Sequence, residues 1–75
     1  MTPAAGYAYP PRVDQVARAG LAEARAGRRT TVVDRLYAYE IQDAARQLAF
    51  AEDGERSIAI TAYGERVTFA LVDPR

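Results

Sequence analysis

The fold is decided by a stretch near the C-terminus that reads SIAITAY (residues 57–63), GE (64–65) and RVTFALV (66–72). Two runs rich in β-branched and aromatic residues flank a pair that begins with glycine, and this pattern predicts a β-hairpin with a two-residue type II′ turn. Folding the chain about residues 64–65 pairs Tyr63 with Arg66. One face of the hairpin then holds most of the large apolar side chains: Ile58, Ile60, Val67, Phe69 and Leu71.

The opposite face of the hairpin supports the same register. It pairs Thr61 with Thr68 and Ala59 with Ala70. Successive residues of a strand point to opposite faces, so a slip of one residue in one strand would mix the two sets of side chains. We therefore expect the apolar face to pack on a helix.

A first helix is predicted over about residues 12–26, because this segment is rich in Ala, Arg and Glu. Pro11 suits the first turn of a helix, and Gly27 suits the position just past its end. Gly20 is expected to weaken the middle of the helix by about 1 kcal/mol. The apolar stripe at helical spacing consists of Val13, Val16, Leu21 and either Ala17 or Ala24.

A second, longer helix is predicted over about residues 32–52, where Thr31 and Asp34 resemble a capping box. An alternative is that residues 29–33, which are rich in β-branched side chains, form a short strand and that the helix begins at Asp34. If the segment is helical, its apolar face consists of Val33, Tyr37, Ile41, Leu48 and either Ala44 or Ala45. Leu36 and Phe50 widen this face.

These elements predict one α+β domain over residues 12–75. It consists of two helices followed by a C-terminal antiparallel β-hairpin that packs on the second helix. In the alternative, a short extra strand lies near residues 29–33. Residues 1–11 are expected to form a flexible tail, since glycine and proline oppose regular structure there. Tyr7 and Tyr9 could instead make it a docking arm. A lone hairpin has two open edges and is marginal in water, so we expect a homodimer.

Composition excludes several classes of function. The chain has no Cys and no His, which excludes disulfides, thiolate or imidazole metal sites and Cys- or His-based catalysis. No other residues offer a nucleophile with a base, so we expect no enzyme, no catalytic residues, no metal and no cofactor. No apolar run reaches the roughly 18 residues of a membrane span, and no signal peptide opens the chain, so a cytoplasmic protein without membrane contact is expected.

Positive charge is concentrated at Arg25, Arg28, Arg29 and Arg35, although ten basic residues balance ten acidic ones over the whole chain. Residues 1–50 carry a net charge of +2 and residues 51–75 carry −2. Arginine near a helix start can contact DNA phosphates. The four arginines are therefore candidate DNA-binding residues, and improved solubility is the alternative explanation for them.

Residues 40–74 resemble the prevent-host-death (Phd/YefM) antitoxins. The similarity is carried by Gly54-Glu55-Arg56 after a helix, Ile60-Thr61 in a strand, Gly64 in the turn, Val67, and Leu71-Val72-Asp73-Pro74. The resemblance implies a dimeric DNA-binding fold in which helix starts and nearby arginines contact operator DNA, and Arg28, Arg29 and Arg35 lie near the matching place. It also implies a toxin as the protein partner.

A second, weaker resemblance is to phage head–tail joining proteins of the gpW type, from Leu48 through Gly54, Gly64, Arg66-Val67 and Phe69. In that family a helix follows the hairpin, whereas here the helix precedes it. The leading expectation is therefore a small dimeric DNA-binding regulator of the antitoxin type that represses its own transcription. The alternative is a non-enzymatic protein-interaction or assembly module, with an assembly subunit as its partner.

The hairpin register can be tested with two lysine substitutions. Ile60→Lys should bury an unpaired charge and unfold or severely destabilise the domain, whereas Thr61→Lys should have a mild effect. Urea unfolding followed by circular dichroism measures both. Equal losses of stability in the two variants would contradict the assignment of faces.

Overall fold

Two helices and a three-stranded antiparallel sheet form the fold in this computed structural model, which describes residues 9–53 and 57–72. The elements are α1 (Pro11–Arg25), β1 (Thr30–Val33), α2 (Ala38–Asp53), β2 (Ile58–Tyr63) and β3 (Arg66–Leu71). The strands lie in the order β1-β3-β2, so the C-terminal hairpin supplies the central strand and one edge strand. The predicted α+β class and hairpin are confirmed.

The hairpin register is also confirmed, pair by pair, from Tyr63 opposite Arg66 to Ile58 opposite Leu71. Gly64 adopts a φ of 62°, which glycine tolerates and which the first position of this turn requires. The inward face supplies Ile58, Ile60, Val67 and Phe69 to the core. Leu71 remains about half exposed.

The second helix begins later than predicted, because Thr30–Val33 forms β1, an edge strand paired with β3. The alternative of a short strand near residues 29–33 is therefore correct, whereas the capping box that includes Thr31 and the alternative helix start at Asp34 are both wrong, because α2 begins at Ala38. Asp34 Oδ1 accepts hydrogen bonds from the N–H groups of Leu36 and Tyr37, which forms a turn over residues 35–37 before α2 starts. Three side chains expected on the apolar face of the helix are exposed instead: Val33, Leu36 and Phe50.

The first helix agrees with its prediction to within one residue at each end. Gly27 has a φ of 88° and donates its N–H to Ala24 O, while the N–H of Arg28 reaches Glu23 O. These two bonds form a Schellman motif, which satisfies carbonyl groups at the end of the helix. The predicted stripe is buried at Val13, Ala17, Leu21 and Ala24, and Val16 is partly buried.

Both helices cover the same face of the sheet, with α1 mainly on β3 and α2 mainly on β2. We expected the hairpin to pack on the second helix alone, but it packs on both helices. Gly20 is buried where α1 crosses β3, and a Cβ added there would lie 2.4 Å from Cε1 of Phe69. The absence of a side chain at residue 20 is thus what allows α1 to approach the sheet.

A polar joint connects the start of α1 with the start of α2. Arg12 pairs with the buried carboxylate of Asp34, and its guanidinium lies 5.4 Å from the centre of the Tyr37 ring. Tyr9 packs on the core and donates its hydroxyl to Asp43 on α2. Residues 1–8 of the expected tail lie outside the described residues.

The contact between Gly20 and Phe69 predicts the effect of adding one methyl group. Gly20→Ala should lower the free energy of unfolding, because overpacking a fixed core costs about 1–3 kcal/mol. This cost opposes the gain of about 1 kcal/mol that alanine has over glycine in a helix. Urea unfolding of the wild type and the variant measures the difference.

Two further variants isolate the cause. The penalty of Gly20→Ala should shrink when Phe69 is also replaced by Leu, which lacks the ring atoms that the methyl group meets. Ala22→Gly, at an exposed position of the same helix, should show only the propensity loss of about 1 kcal/mol. A stabilising Gly20→Ala would show that α1 does not approach the sheet this closely.

The joint at Asp34 predicts a pH-dependent contribution to stability. The pKa of Asp34 lies below its ordinary value mainly because its carboxylate accepts a hydrogen bond from the N–H of Tyr37. Arg12 and the N–H of Leu36 lower this pKa further, whereas burial of the carboxylate acts to raise it. The ionised carboxylate therefore stabilises the fold above about pH 4, and this contribution is lost as the pH falls through the lowered pKa of the folded state.

Denaturant titration of the wild type and Asp34→Asn measures this contribution at pH 7 and at pH 3. The stability difference between the two proteins should be larger at pH 7. Asp14→Asn, which removes a carboxylate of α1 whose side chain is 49% exposed, is the matched control for the loss of one acidic group. A difference between wild type and Asp34→Asn that is the same at both pH values would contradict the role of the charge.

Candidate nucleic-acid interface

The four arginines predicted to bind DNA do not form one cluster. Arg25 ends α1, and Arg28 and Arg29 lie in the connection between α1 and β1. Arg35 follows the other end of β1, where its Nε lies 3.6 Å from Glu65 Oε1 in the hairpin turn. Because a four-residue strand spans about 13 Å, Arg35 is separated from the other three.

Acidic side chains of the same chain face three of these guanidinium groups. Arg25 Nη2 lies 2.8 Å from Glu52 Oε1, and Arg28 Nε donates to Glu23 Oε1. The hydrogen bond to Glu23, and then its negative charge, hold the pKa of Arg28 above its ordinary value. Arg29 differs from them: it is exposed and has no acidic partner among residues 9–53 and 57–72.

No element within residues 9–53 and 57–72 covers the face of the sheet opposite the helices, and we call this face the open face. Its side chains alternate with the buried ones along each strand, and all are exposed except two half-buried residues of the central strand, Thr68 and Ala70. The open face consists of Thr31 and Val33 from β1, Ala59, Thr61 and Tyr63 from β2, and Arg66, Thr68 and Ala70 from β3.

The pairing register aligns polar groups across the open face. Thr31 lies opposite Thr68, which lies opposite Thr61, so three threonines form one row across the three strands. The Oγ1 atoms of Thr31 and Thr68 are 3.1 Å apart. In the row next to the turn, Arg66 lies between Val33 and Tyr63, and the Tyr63 side chain is 86% exposed.

Acidic residues are unevenly distributed over the described parts of the molecule. The open face contains Arg66 and no acidic residue, and Arg66 has no acidic partner within the described parts of the chain. Arg29 directly precedes β1, about 13 Å along the strand from Val33, which lies opposite Arg66. Apart from Asp34 and Glu65, the acidic residues of the described segments all belong to the helices: Asp14, Glu23, Glu40, Asp43, Glu52 and Asp53.

This arrangement suits contact with a polyanion. Guanidinium and hydroxyl groups donate hydrogen bonds to phosphate oxygens, and an exposed aromatic ring on a sheet offers a surface for base stacking. Sequence reasoning placed Thr61 and Thr68 together on the outer face of the hairpin but did not connect them with Arg66 or Tyr63. The signal that identifies Tyr63 and Arg66 is the alternation along β2 and β3, which puts them on the same face as Thr61 and Thr68. Thr31 and Val33 join this face only because residues 30–33 form β1.

The described parts of the structure contain neither a metal-binding cluster nor a membrane-spanning helix. Within residues 9–53 and 57–72 no three His, Cys, Asp or Glu side chains are grouped so that they could hold a metal ion. Neither helix there is long and apolar enough to span a bilayer. The chain matches no protein-family model, no curated protein and no solved structure.

Proposed function

We propose that this protein is a small, non-catalytic DNA-binding regulator of the antitoxin type that acts as a dimer in the cytoplasm and contacts DNA through the open face. The observation that carries the proposal is that Arg66 and the threonine row lie together on an open face that has no acidic side chain. The resemblance of residues 40–74 to prevent-host-death antitoxins supports the regulatory role.

The free arginines favour the open face over the site predicted from sequence. Arg66 and Arg29 can each bind a phosphate without losing an acidic partner in the described chain. Arg28 and Arg35 would first have to exchange Glu23 and Glu65 for the phosphate. Phosphate contacts through the sheet therefore displace fewer existing interactions.

The shape of the hairpin agrees with binding in a major groove. The hairpin of β2 and β3 is a two-stranded ribbon, and the major groove of B-DNA, about 12 Å wide, admits a ribbon of two strands. Side chains in the groove meet both phosphates and base edges. Arg66 has the geometry to donate to guanine, and threonine hydroxyls can bond to several bases.

A protein-interaction or assembly module is the second candidate function. It is favoured by the exposed apolar side chains of Val33 and Tyr63, which flank Arg66 on the open face, and by Val72 just beyond β3. Exposed apolar side chains of this kind are common in protein interfaces. In this alternative, a toxin or an assembly subunit would cover the same face.

DNA binding can be measured by fluorescence anisotropy with a labelled duplex from the promoter region of the protein's own gene. The wild type should bind at about 50 mM salt, and its affinity should fall as the salt concentration rises. Each phosphate that the protein neutralises should contribute about −0.9 to the slope of the logarithm of affinity against the logarithm of salt concentration. Arg29→Ala with Arg66→Ala should weaken binding and reduce the slope by about 1 for each arginine that contacts a phosphate.

Two control variants identify the surface. Arg28→Ala with Arg35→Ala removes the same number of charges from arginines that have acidic partners, and it should weaken binding less. Arg18→Ala removes one exposed arginine from α1 and should leave binding unchanged. Absence of wild-type binding at low salt would favour the protein-interaction function, whereas binding unaffected by the Arg29 and Arg66 substitutions would place the DNA elsewhere on the protein.

A further inference from the structure

The outer side of α2 carries four exposed residues spaced four, three and four positions apart. This is the spacing of residues along the contact line of two packed helices. Ile41 and Ala45 lie on the opposite side of α2, within the core. We call the exposed set the α2 seam: Tyr39, Asp43, Arg46 and Phe50.

The ends of the α2 seam are apolar and its middle is charged. Tyr39 is 59% exposed and Phe50 is 66% exposed, which is unusual for large aromatic side chains. Arg46 has no ion pair within the described residues. Asp43 accepts hydrogen bonds from Tyr9 and from Gln47, both at Oδ2.

The order of these residues makes the α2 seam complementary to itself. The midpoint in sequence between Tyr39 and Phe50 is also the midpoint between Asp43 and Arg46. When two copies of α2 pack antiparallel about this point, each aromatic residue meets the other aromatic residue. At the same register each Asp43 meets Arg46 of the second copy, so charges of opposite sign are opposed.

We infer that the α2 seam is a homodimer interface in which α2 packs antiparallel against α2 of a second copy. A two-fold axis makes every contact twice, so the interface contains two aromatic pairs and two ion pairs. The seam extends only about 17 Å along the helix. An interface of this size is small, and micromolar association is expected.

The β2 edge of the sheet is less suited to this role. The carbonyl of Ile60 points away from β3 on the edge strand β2, and it accepts a hydrogen bond of 3.1 Å from Gln42 Nε2. This side chain occupies part of the edge that a second sheet would need. The α2 seam also lies on the helical side of the molecule, so dimerisation leaves the open face accessible and does not depend on DNA binding.

Sedimentation velocity from about 1 to 100 µM tests the interface, since the wild type should shift from monomer to dimer over this range. Asp43→Arg alone and Arg46→Asp alone each oppose like charges twice, so each should weaken dimerisation by about tenfold or more. A wild type that remains monomeric throughout the range would overturn the inference.

Mixing the two single variants distinguishes direct contact from loss of folding. One chain then carries two arginines in the seam and the other carries two aspartates, so an equimolar mixture should form a heterodimer although neither variant dimerises alone. The double variant Asp43→Arg with Arg46→Asp should restore the homodimer.

Gln15→Arg, which adds a charge at an exposed position of α1, is the matched control and should dimerise like the wild type. If the mixture of the two single variants does not associate while both remain folded by circular dichroism, the two charges do not meet across the interface and the inference is wrong.

Discussion

The contact between the Phe69 ring and the backbone of Gly20 is the constraint on which the other packing depends. Phe69 is fully buried in β3, the central strand, and a Cβ at residue 20 would come within 2.4 Å of its ring. The ring therefore determines how close α1 lies to the sheet. The neighbouring helix surfaces consist largely of alanine, which lets both helices approach β3: Ala17, Ala24, Ala44, Ala45 and Ala49 are all buried. A core with few large side chains can be filled only when its elements lie this close.

A polar joint complements this apolar contact. Arg12 and the N–H groups after Asp34 satisfy a buried carboxylate at the place where α1, β1 and α2 meet. The packing of Phe69 defines the distance between helix and sheet, and the carboxylate defines where each helix begins. Among the described residues, every acidic side chain except those of Asp34 and Glu65 belongs to a helix, and the open face has none. The chain is neutral overall, and its open face carries one arginine, Arg66, and no acidic side chain, with the α2 seam on the other side of the molecule.

The candidate site was only partly predictable from the sequence. Local counting identified four arginines, of which Arg29 has no acidic partner in the described structure, whereas Glu52, Glu23 and Glu65 pair with the others. Glu65 and Glu52 are distant in sequence from the arginines they face, so no local pattern reveals these pairs. Arg66 was only partly predictable: the hairpin register already pairs it with Tyr63, but its other neighbour on the open face, Val33, belongs to β1, whose strand conformation was the alternative interpretation.

The sequence by itself determined the hairpin, its register and the two ends of α1. These features arise from alternation along a strand, from a glycine that adopts positive φ and from the proline and glycine at helix ends, which are all properties of a few adjacent residues. Only the tertiary structure decided the conformation of Thr30–Val33 and the role of Gly20. A short β-branched run fits the beginning of a helix or a strand, and it became a strand because β3 offers it backbone hydrogen bonds. Gly20 lowers the propensity of a helix considered alone, and its advantage exists only because the ring of Phe69, 49 residues later, occupies the space of its missing side chain.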